Sequence, residues 1–547
     1  MTGKEENSRR FSPAIKNIIF ILLIVLCEIW TFRNIIFKGM LVGSDADGLL
    51  AVLMTEHWYK VLCGLENWNN WISMFPINNT VALNDMYILH AIVYCPLRFL
   101  GVDKYAAFQI TLIVLHFVGS ILMYAFLHAG LKFERSSAFL GTACFSFGSY
   151  YIIKIMHSQF LALCLIPGIM ASIYWFLKNI NSDERGKRVF WMITGIICEV
   201  MLFYTSPYVA EFVLISVVIC GFFSFVLGDK KQILSSAISY AKSAWFEAAA
   251  GILFGIILMI PFMKVYFPWV SENTRSYKYA SNFFVSPKDV FNVSTGNLIY
   301  GKWINSLGFV IGENTIGLTL SMWILMIICL VVLIRRNERQ YIALFISFAL
   351  MFVIPIRFGD FCLWKAFYKF FPGASGMRVA CRIALMTLPL IAVIAAHVFD
   401  VILKEKRKAI APIIATLLAL WLVVENGYVI GVPSSWTYDA AISSENSFDV
   451  APPKDCRSFF VVDSAGTPEQ AEFPLYYQGF LQAWVLADKY NTPTLNGFGS
   501  YTPKKYGKVY NIYTSKYLDE VSAWIDANGL TDVYSYDVAT KDWKRFN

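Results

Sequence analysis

Apolar residues in this chain gather into long unbroken runs instead of one helical face. Eleven such runs lie at 17–36, 105–130, 136–153, 159–178, 189–205, 208–227, 244–267, 315–334, 340–356, 379–402 and 409–428. A helix needs about 20 apolar residues to cross ~30 Å of hydrocarbon, so each run predicts a membrane-spanning helix. A twelfth segment, 86–101 (MYILHAIVYCPLRFLG), is short and carries His90, Pro96 and Arg98. It reads as an interfacial or re-entrant helix. The first run is long and has no small-residue cleavage site, so it is expected to persist as a helix.

After residue 428 the pattern changes. Residues 429–547 are polar, with 10 Lys or Arg against 14 Asp or Glu. RSFFVVD (457–463) and TDVYSYD (531–537) have the β-branched and aromatic content of strands. Segments 468–488 and 515–529 read as helices, and a β-α-β-α-β order predicts a small α/β domain. It has no glycine-rich phosphate loop, so a nucleotide site there is not expected.

Composition supports the same class. The chain is 57% hydrophobic and 15% charged, with mean hydropathy +0.54. Soluble domains carry about 25% charged residues, so a soluble enzyme with one anchor is excluded. Nothing in the composition suggests a nucleic-acid partner. The fold class is therefore mainly α: a polytopic membrane domain over 1–428 and an extracytoplasmic α/β domain over 429–547. Eleven cysteines are scattered without a CxxC pair and read as small buried hydrophobes.

Charge distribution orients the chain. With a cytoplasmic N-terminus, inner segments 1–16, 130–136, 178–189, 228–243, 335–340 and 402–408 hold 20 Lys or Arg in 64 residues. The two large outer loops, 38–104 and 267–313, hold 8 in 114 residues. This asymmetry follows the positive-inside rule. Counting 86–101 as a span would put KNINSDERGKR, RRNERQ and KEKRK outside. Eleven spans place the C-terminal domain outside.

Ionisable groups collect on that outer side. The first loop opens GSDADGLL, with Asp45 and Asp47 at the mouth of the first helix, and ends near Asp85. A solvated helix-end turn is the plainer reading of the first two. Residues 48–63 have helical apolar spacing and predict a helix along the membrane surface, with Trp58, Trp68 and Trp71 as interfacial anchors. Lys154 and His157 lie between spans 3 and 4. Glu313 opens span 8, Arg357 and Asp360 follow span 9, and Arg378 and Arg382 open span 10. Two arginines four apart share a helix face and suit bidentate phosphate binding. For Arg382, a structural ion pair is an equal reading. Carboxylates here suit a general base or a metal. Tyr150, Tyr151, Gln159, Tyr204, Tyr208, Tyr277 and Tyr279 suit sugar recognition, but mostly fit an interfacial aromatic belt.

The stretches GSDADGLL with TEHW, LNDMYILHAIVYCPLRFLG (83–101), MHSQFLALCLIPG (156–168), FPGASGMRVACR (371–382) and PTLNGFGSYTPKKYG (493–507) resemble, in this order, the GT-C superfamily of membrane glycosyltransferases. The closer resemblance is to its bacterial members with a YfhO-like layout. The resemblance implies a transferase moving a sugar from a polyprenyl-phosphate donor to a glycan, lipid or protein acceptor at the extracytoplasmic face of the bilayer. It implies that Asp45 or Asp47 is the catalytic base or a metal ligand, with Asp45 preferred because it better matches the family's Gly-Asp start, although Ser44 intervenes here. Substrate contacts would come from Asp85, His57, Lys154, His157, Glu313, Arg357, Arg378 and Arg382. No cofactor is required by the resemblance, although Mg2+ or Mn2+ would fit a metal-dependent branch. A flippase of lipid-linked saccharides and a non-catalytic accessory protein are the competing classes.

Overall fold

The computed structural model describes residues 12–272, 275–310, 312–406, 410–430, 436–503 and 505–547. Residues 1–11 of the first inner segment, 407 and 408 of KEKRK, and Lys504 of the last motif lie outside the described residues.

Each apolar run is helical. Helix α1 (Pro13–Thr31) starts where the Ser12 hydroxyl accepts the Ile15 amide N–H at 3.3 Å and Pro13 supplies its fixed φ. The outer-loop helices are α2 (Asp47–Leu62) and α3 (Ile88–Phe99). The other helices of the bundle are α4 (Lys104–Ala125), α5 (Arg135–Ser146), α6 (Ile166–Lys178), α7 (Arg185–Phe203), α8 (Pro207–Leu227), α9 (Lys230–Glu272), α10 (Leu320–Arg336), α11 (Arg339–Val353), α12 (Thr387–Lys406) and α13 (Ile410–Glu425). Six helical stretches among the described residues are long and apolar enough to cross a membrane unaided, including Lys104–Gly130, Ser158–Lys178 and Ala380–Glu405. The protein is a polytopic α-helical membrane protein. Ile252, Leu253 and Ile256 of α9 stay more than half exposed, as lipid-facing side chains should.

Helices α5 and α12 form the centre of the bundle. A Cβ on Gly141 would sit 2.6 Å from the Ala392 carbonyl oxygen, so only glycine allows this approach. Close backbone contact at small residues replaces the hydrophobic drive that lipid cannot supply. Two spans begin with 3-10 turns, Ser158–Leu165 and Ala380–Met386. Both turns lie at the ends carrying His157, Arg378 and Arg382.

Helix α3 has 12 residues and rises about 18 Å, too little to cross. It is instead clamped to its neighbours. Arg98 donates to both carboxylate oxygens of Glu56 on α2, at 2.8 and 2.9 Å, and Tyr94 adds a third bond at 2.5 Å.

Two expectations need correction. Helix α2 is not a surface-lying amphipathic helix: Leu49, Ala51 through His57 and Lys60 are all buried. Trp71 is not a membrane anchor. It is 5% exposed and packs its ring 5.0 Å from that of Trp484. Helix α2 is buried mainly by α3 and α4, and Trp71 by the C-terminal domain.

That domain contains α14 (Tyr438–Ser447), β1 (Ser458–Val462), α15 (Tyr477–Tyr490), α16 (Tyr517–Asn528), β2 (Val533–Asp537) and β3 (Asp542–Arg545). Strand β1 pairs parallel with β2, and β2 antiparallel with β3. The order is β-α-α-β-β instead of the expected alternation. Between the two helices the chain reaches β1 at a single bridge, Phe459 with Thr494, because Thr494 and Asn496 are engaged elsewhere. The amides of Met74 and Phe75 in the first outer loop donate to the Asn496 and Thr494 carbonyls at 3.3 and 3.0 Å.

A buried charge cluster joins domain to loop. Asp488 on α15 accepts from Lys60 of α2 at 2.7 Å and from Lys104 of α4 at 2.6 Å. Glu445 of α14 meets Lys104 at 2.8 Å, and Glu66 pairs with His57 at 2.5 Å. Burial would raise the Asp488 carboxyl, but Lys104 and Lys60 outweigh it and hold the group well below the usual range. A depressed carboxylate stabilises the fold above its unfolded pKa of about 3.9 and loses that contribution in stronger acid. Asp488→Ala should therefore destabilise the neutral-pH protein by about 3 kcal/mol, read as a lower unfolding temperature in detergent. The gap between variant and parent should narrow in acid below the ordinary Asp range.

Candidate functional site

At the end of the bundle next to the first large loop, four chain segments bring charged groups together. Asp47 is the first residue of α2. The Ser44 hydroxyl accepts the amides of Ala46 and Asp47, at 3.2 and 3.0 Å, and so fixes the turn. Gly48 follows because the Trp436 ring presses on that turn: a Cβ there would lie 1.7 Å from a ring carbon.

Glu313 is the hub. Lys154 donates to one of its oxygens at 2.6 Å, and Arg382 holds both with a two-point contact. The Cys381 thiol donates to the Glu313 carbonyl at 3.3 Å. The Arg382 guanidinium also lies 5.1 Å from the Phe160 ring and 5.6 Å from that of Tyr208. Burial opposes ionisation of Glu313, yet Arg382 and Lys154 outweigh it and hold the carboxyl well below its usual range. Arg382 is thus a structural ion pair that also lines the site.

His157 stands between two carboxylates, its ring nitrogens 3.7 Å from Asp47 Oδ2 and from Glu313 Oε1. Burial, with Arg382 and Lys154 behind it, lowers its pKa to about 3. The imidazole is therefore neutral at physiological pH and adds no charge. Desolvation by the surrounding walls raises the Asp47 carboxyl, against the pull of Arg382 and Arg378. Its side chain remains 64% exposed to the cleft.

Arg378 differs from the other cations. Its backbone N–H donates to the Tyr208 hydroxyl at 2.7 Å, and its guanidinium lies 5.2 Å from the Phe283 ring. No carboxylate pairs with it among the described residues, and its Nε is buried without a hydrogen-bond partner. An unpaired guanidinium beside two carboxylate-bearing turns is a seat for an added anion.

Asp85 lies deeper. The Tyr87 hydroxyl donates to Gln159 Oε1 at 3.1 Å, which leaves the Gln159 amide for Asp85. Burial raises the Asp85 carboxyl to about 7, while Arg382, Gln159 and Ser206 pull it down. The site thus holds three cations against Asp47 and Glu313, with the Asp85 carboxyl raised toward neutral pH.

Of the remaining anticipated residues, Tyr150 packs against this group, its hydroxyl donating to the Cys381 carbonyl at 3.3 Å and its ring 5.5 Å from Lys154 Nζ; Asp45, His57, Arg357, Tyr151 and Tyr204 lie apart from it. Asp45 is exposed on the turn, and its carboxylate has no ion pair or hydrogen bond among the described residues. The His57 ring is buried against Glu66 and the Trp68 carbonyl. Arg357 sits on a two-residue hairpin and donates to the Ser281 carbonyl at 2.6 Å. Tyr150 and Tyr151 are each 1% exposed, so neither is a belt residue or a sugar contact. Tyr204 bonds the Leu258 carbonyl at 2.9 Å.

Sequence reading did not single out Ser206 or Phe283. It also passed over an apolar groove of 840 Å³ between α7 and α9, lined by Met192, Ile196, Gly251, Gly255, Met259 and Met263. Glycines on α9 at four-residue spacing were the available signal. Tyr266, beside the groove's outer end, lies within electrostatic reach of Asp85. Among the described residues no three His, Cys, Asp or Glu side chains cluster as metal ligands. Cations crowd the carboxylates that face the cleft, a donor set that suits an anion and does not suit a divalent cation.

The Asp85 carboxyl predicts a pH effect. Ionisation through about pH 7 removes positive charge from the site, so affinity for a singly charged phosphodiester should fall ~3- to 10-fold between pH 6 and 8. Asp85→Asn should abolish that dependence. Titration of a polyprenyl phosphodiester into both proteins checks it.

No family model matches this chain, and no curated protein sequence matches it. Among solved structures, the crystal structure of ArnT from Cupriavidus metallidurans in the apo state is similar over 96% of this chain and 94% of that one. The identity is 10% and the TM-score 0.35, a likeness that carries no residue correspondence.

Proposed function

We propose that the protein is a GT-C-type membrane glycosyltransferase that uses a polyprenyl-phosphate-linked sugar at the extracytoplasmic face. The observation that carries this reading is the unpaired Arg378 guanidinium beside Asp47, at the outer end of an apolar bundle. A phosphodiester on a long apolar tail matches both halves of that environment. The tail would lie in the groove between α7 and α9, and the phosphate would meet Arg378, with Arg382 behind it.

Asp47 is the base in this reading. It faces the cleft, where an acceptor hydroxyl can reach it, whereas Asp85 is only partly exposed and Asp45 makes no contact with the site's charges among the described residues. The hydroxyl loses its proton to Asp47 as its oxygen bonds to the anomeric carbon. The bond from that carbon to the phosphate oxygen breaks, and polyprenyl phosphate leaves with its charge held by Arg378. One displacement inverts the anomeric centre. The exposed Asp47 then returns its proton to water. Neutral His157 keeps Asp47 apart from Glu313 without adding a competing charge.

Transfer assays in detergent with a panel of polyprenyl-phosphate sugars test this. Asp47→Asn should lower turnover ~10²- to 10⁴-fold, and Arg378→Ala ~10²-fold. Asp45→Asn should stay within about twofold, and EDTA should change nothing. Saturable binding of a lipid-linked saccharide, without turnover in any of these proteins, would favour a transporter.

Sidedness has its own test. Cys63, in the first large loop, is the exposed cysteine among the described residues. A membrane-impermeant maleimide should label it on intact cells, and Cys63→Ser should remove that label. Labelling only after permeabilisation would invert the topology.

A further inference from the structure

The C-terminal domain turns an aromatic face toward the cleft. Tyr477 opens α15, and its ring lies 5.5 Å from Phe473, 4.8 Å from Tyr476 and 5.7 Å from Phe498. Tyr510 joins through Tyr476 at 5.6 Å. Phe473 is 72% exposed, and the other four rings are half-buried. Such a cluster is costly to leave in water without an occupant, because each ring brings a large apolar face.

The face is rigid. Phe498 stacks at 5.4 Å on Phe480, which is 2% exposed. Two residues earlier, the Asn496 side chain is fully engaged, with the Val461 amide, the Val509 carbonyl and the Tyr517 hydroxyl. Two residues later, the Ser500 amide donates to the Leu83 carbonyl at 2.8 Å, and its own carbonyl accepts from Arg275 at 3.0 Å. The loop is therefore tied to the segment that carries Asp85.

The face is also continuous with the site. Arg275 bridges the two: its guanidinium donates to the Ser500 carbonyl at 3.0 Å, and its backbone N–H to the Ser375 carbonyl at 3.3 Å, three residues before Arg378. Tyr279 is 44% exposed, and its ring lies 5.9 Å from Phe283, the ring beneath Arg378. A molecule whose hydroxyl meets Asp47 would thus have its body on aromatic rings edged by tyrosine hydroxyls. Flat C–H faces together with many hydroxyls describe a pyranose.

We infer that Phe473, Tyr477, Phe498 and Tyr279 form an acceptor subsite for a saccharide chain. Its outermost sugar would present a hydroxyl to Asp47, and the preceding sugars would stack on the aromatic face. The inference rests on the transferase reading above for the reaction, but the binding surface can be tested alone.

The test uses the full chain in nanodiscs and probes of stated structure: tetrasaccharides of glucose, galactose, mannose and N-acetylglucosamine, with poly(glycerol phosphate) and a Ser/Thr-rich peptide as controls. Isothermal titration should show saturable binding of at least one tetrasaccharide. Phe473→Ala and Tyr477→Ala should each weaken it about tenfold. Tyr477→Phe, which keeps the ring, should bind within about twofold of the parent. Phe473 is exposed, so its removal should not disturb folding, and an unchanged unfolding temperature would confirm that. In turnover, the same two alanine variants should raise the acceptor KM and leave donor affinity unchanged. Equal saccharide binding by parent and alanine variants would overturn the subsite, as would binding of only poly(glycerol phosphate) or the peptide. Ring-dependent binding without transfer from any donor would uphold the subsite and sink the transferase reading.

Discussion

A carboxylate buried without countercharge costs several kcal/mol, and Asp488 avoids that cost only where it stands. Lys60 and Lys104 reach it from two different outer-loop elements, at 2.7 and 2.6 Å. Neither lysine could be buried without it. The cluster therefore has one arrangement, and it fixes α2 between the helical bundle and the C-terminal domain. Asp47 sits at the other end of the same helix. The position of the cleft-facing carboxylate is thus set about four helical turns away, by charges that touch no substrate.

The second constraint comes from backbone geometry. Spans that begin as regular α-helices at a membrane surface leave their first amides to water. Here the spans reaching the site begin as 3-10 turns, at Ser158–Leu165 and Ala380–Met386. Tighter winding draws His157, Gln159 and Arg382 inward around Glu313. The hub pairs with both Lys154 and Arg382, leaving that triad one net positive charge, and Arg378 has only an aromatic ring. Positive charge is concentrated where a phosphate would sit, while the wall behind it stays paired.

Much of this was legible in the chain. All eleven apolar runs are helices, since hydrocarbon allows no other way to satisfy the backbone. The short 86–101 segment is the short α3. Lys154, His157, Glu313, Arg378, Arg382, Asp47 and Asp85 all meet at one place. Helix α2 is buried mainly by α3 and α4 instead of lying on lipid, and His57 pairs with Glu66 of its own loop. The C-terminal domain takes Trp71 into a contact with Trp484. It also uses the 493–497 backbone on the outer loop, so the expected middle strand shrinks to one bridge.

Sequence by itself determined the class of protein, the helical character of its apolar runs and the types of charge at one end. Each of these depends on local composition, which hydrocarbon thickness and backbone hydrogen bonding convert directly into structure. Only the tertiary structure decided which charges pair. Asp45 and Asp47 are two residues apart and alike in chemistry, yet one faces water and the other faces His157 and the arginines. Arg378 and Arg382 share a motif, yet only the second has a carboxylate. Such choices depend on residues more than a hundred positions away, Glu313 and Asp488 above all. Local pattern carries no record of them, because the energy of a buried charge is set by its spatial neighbours.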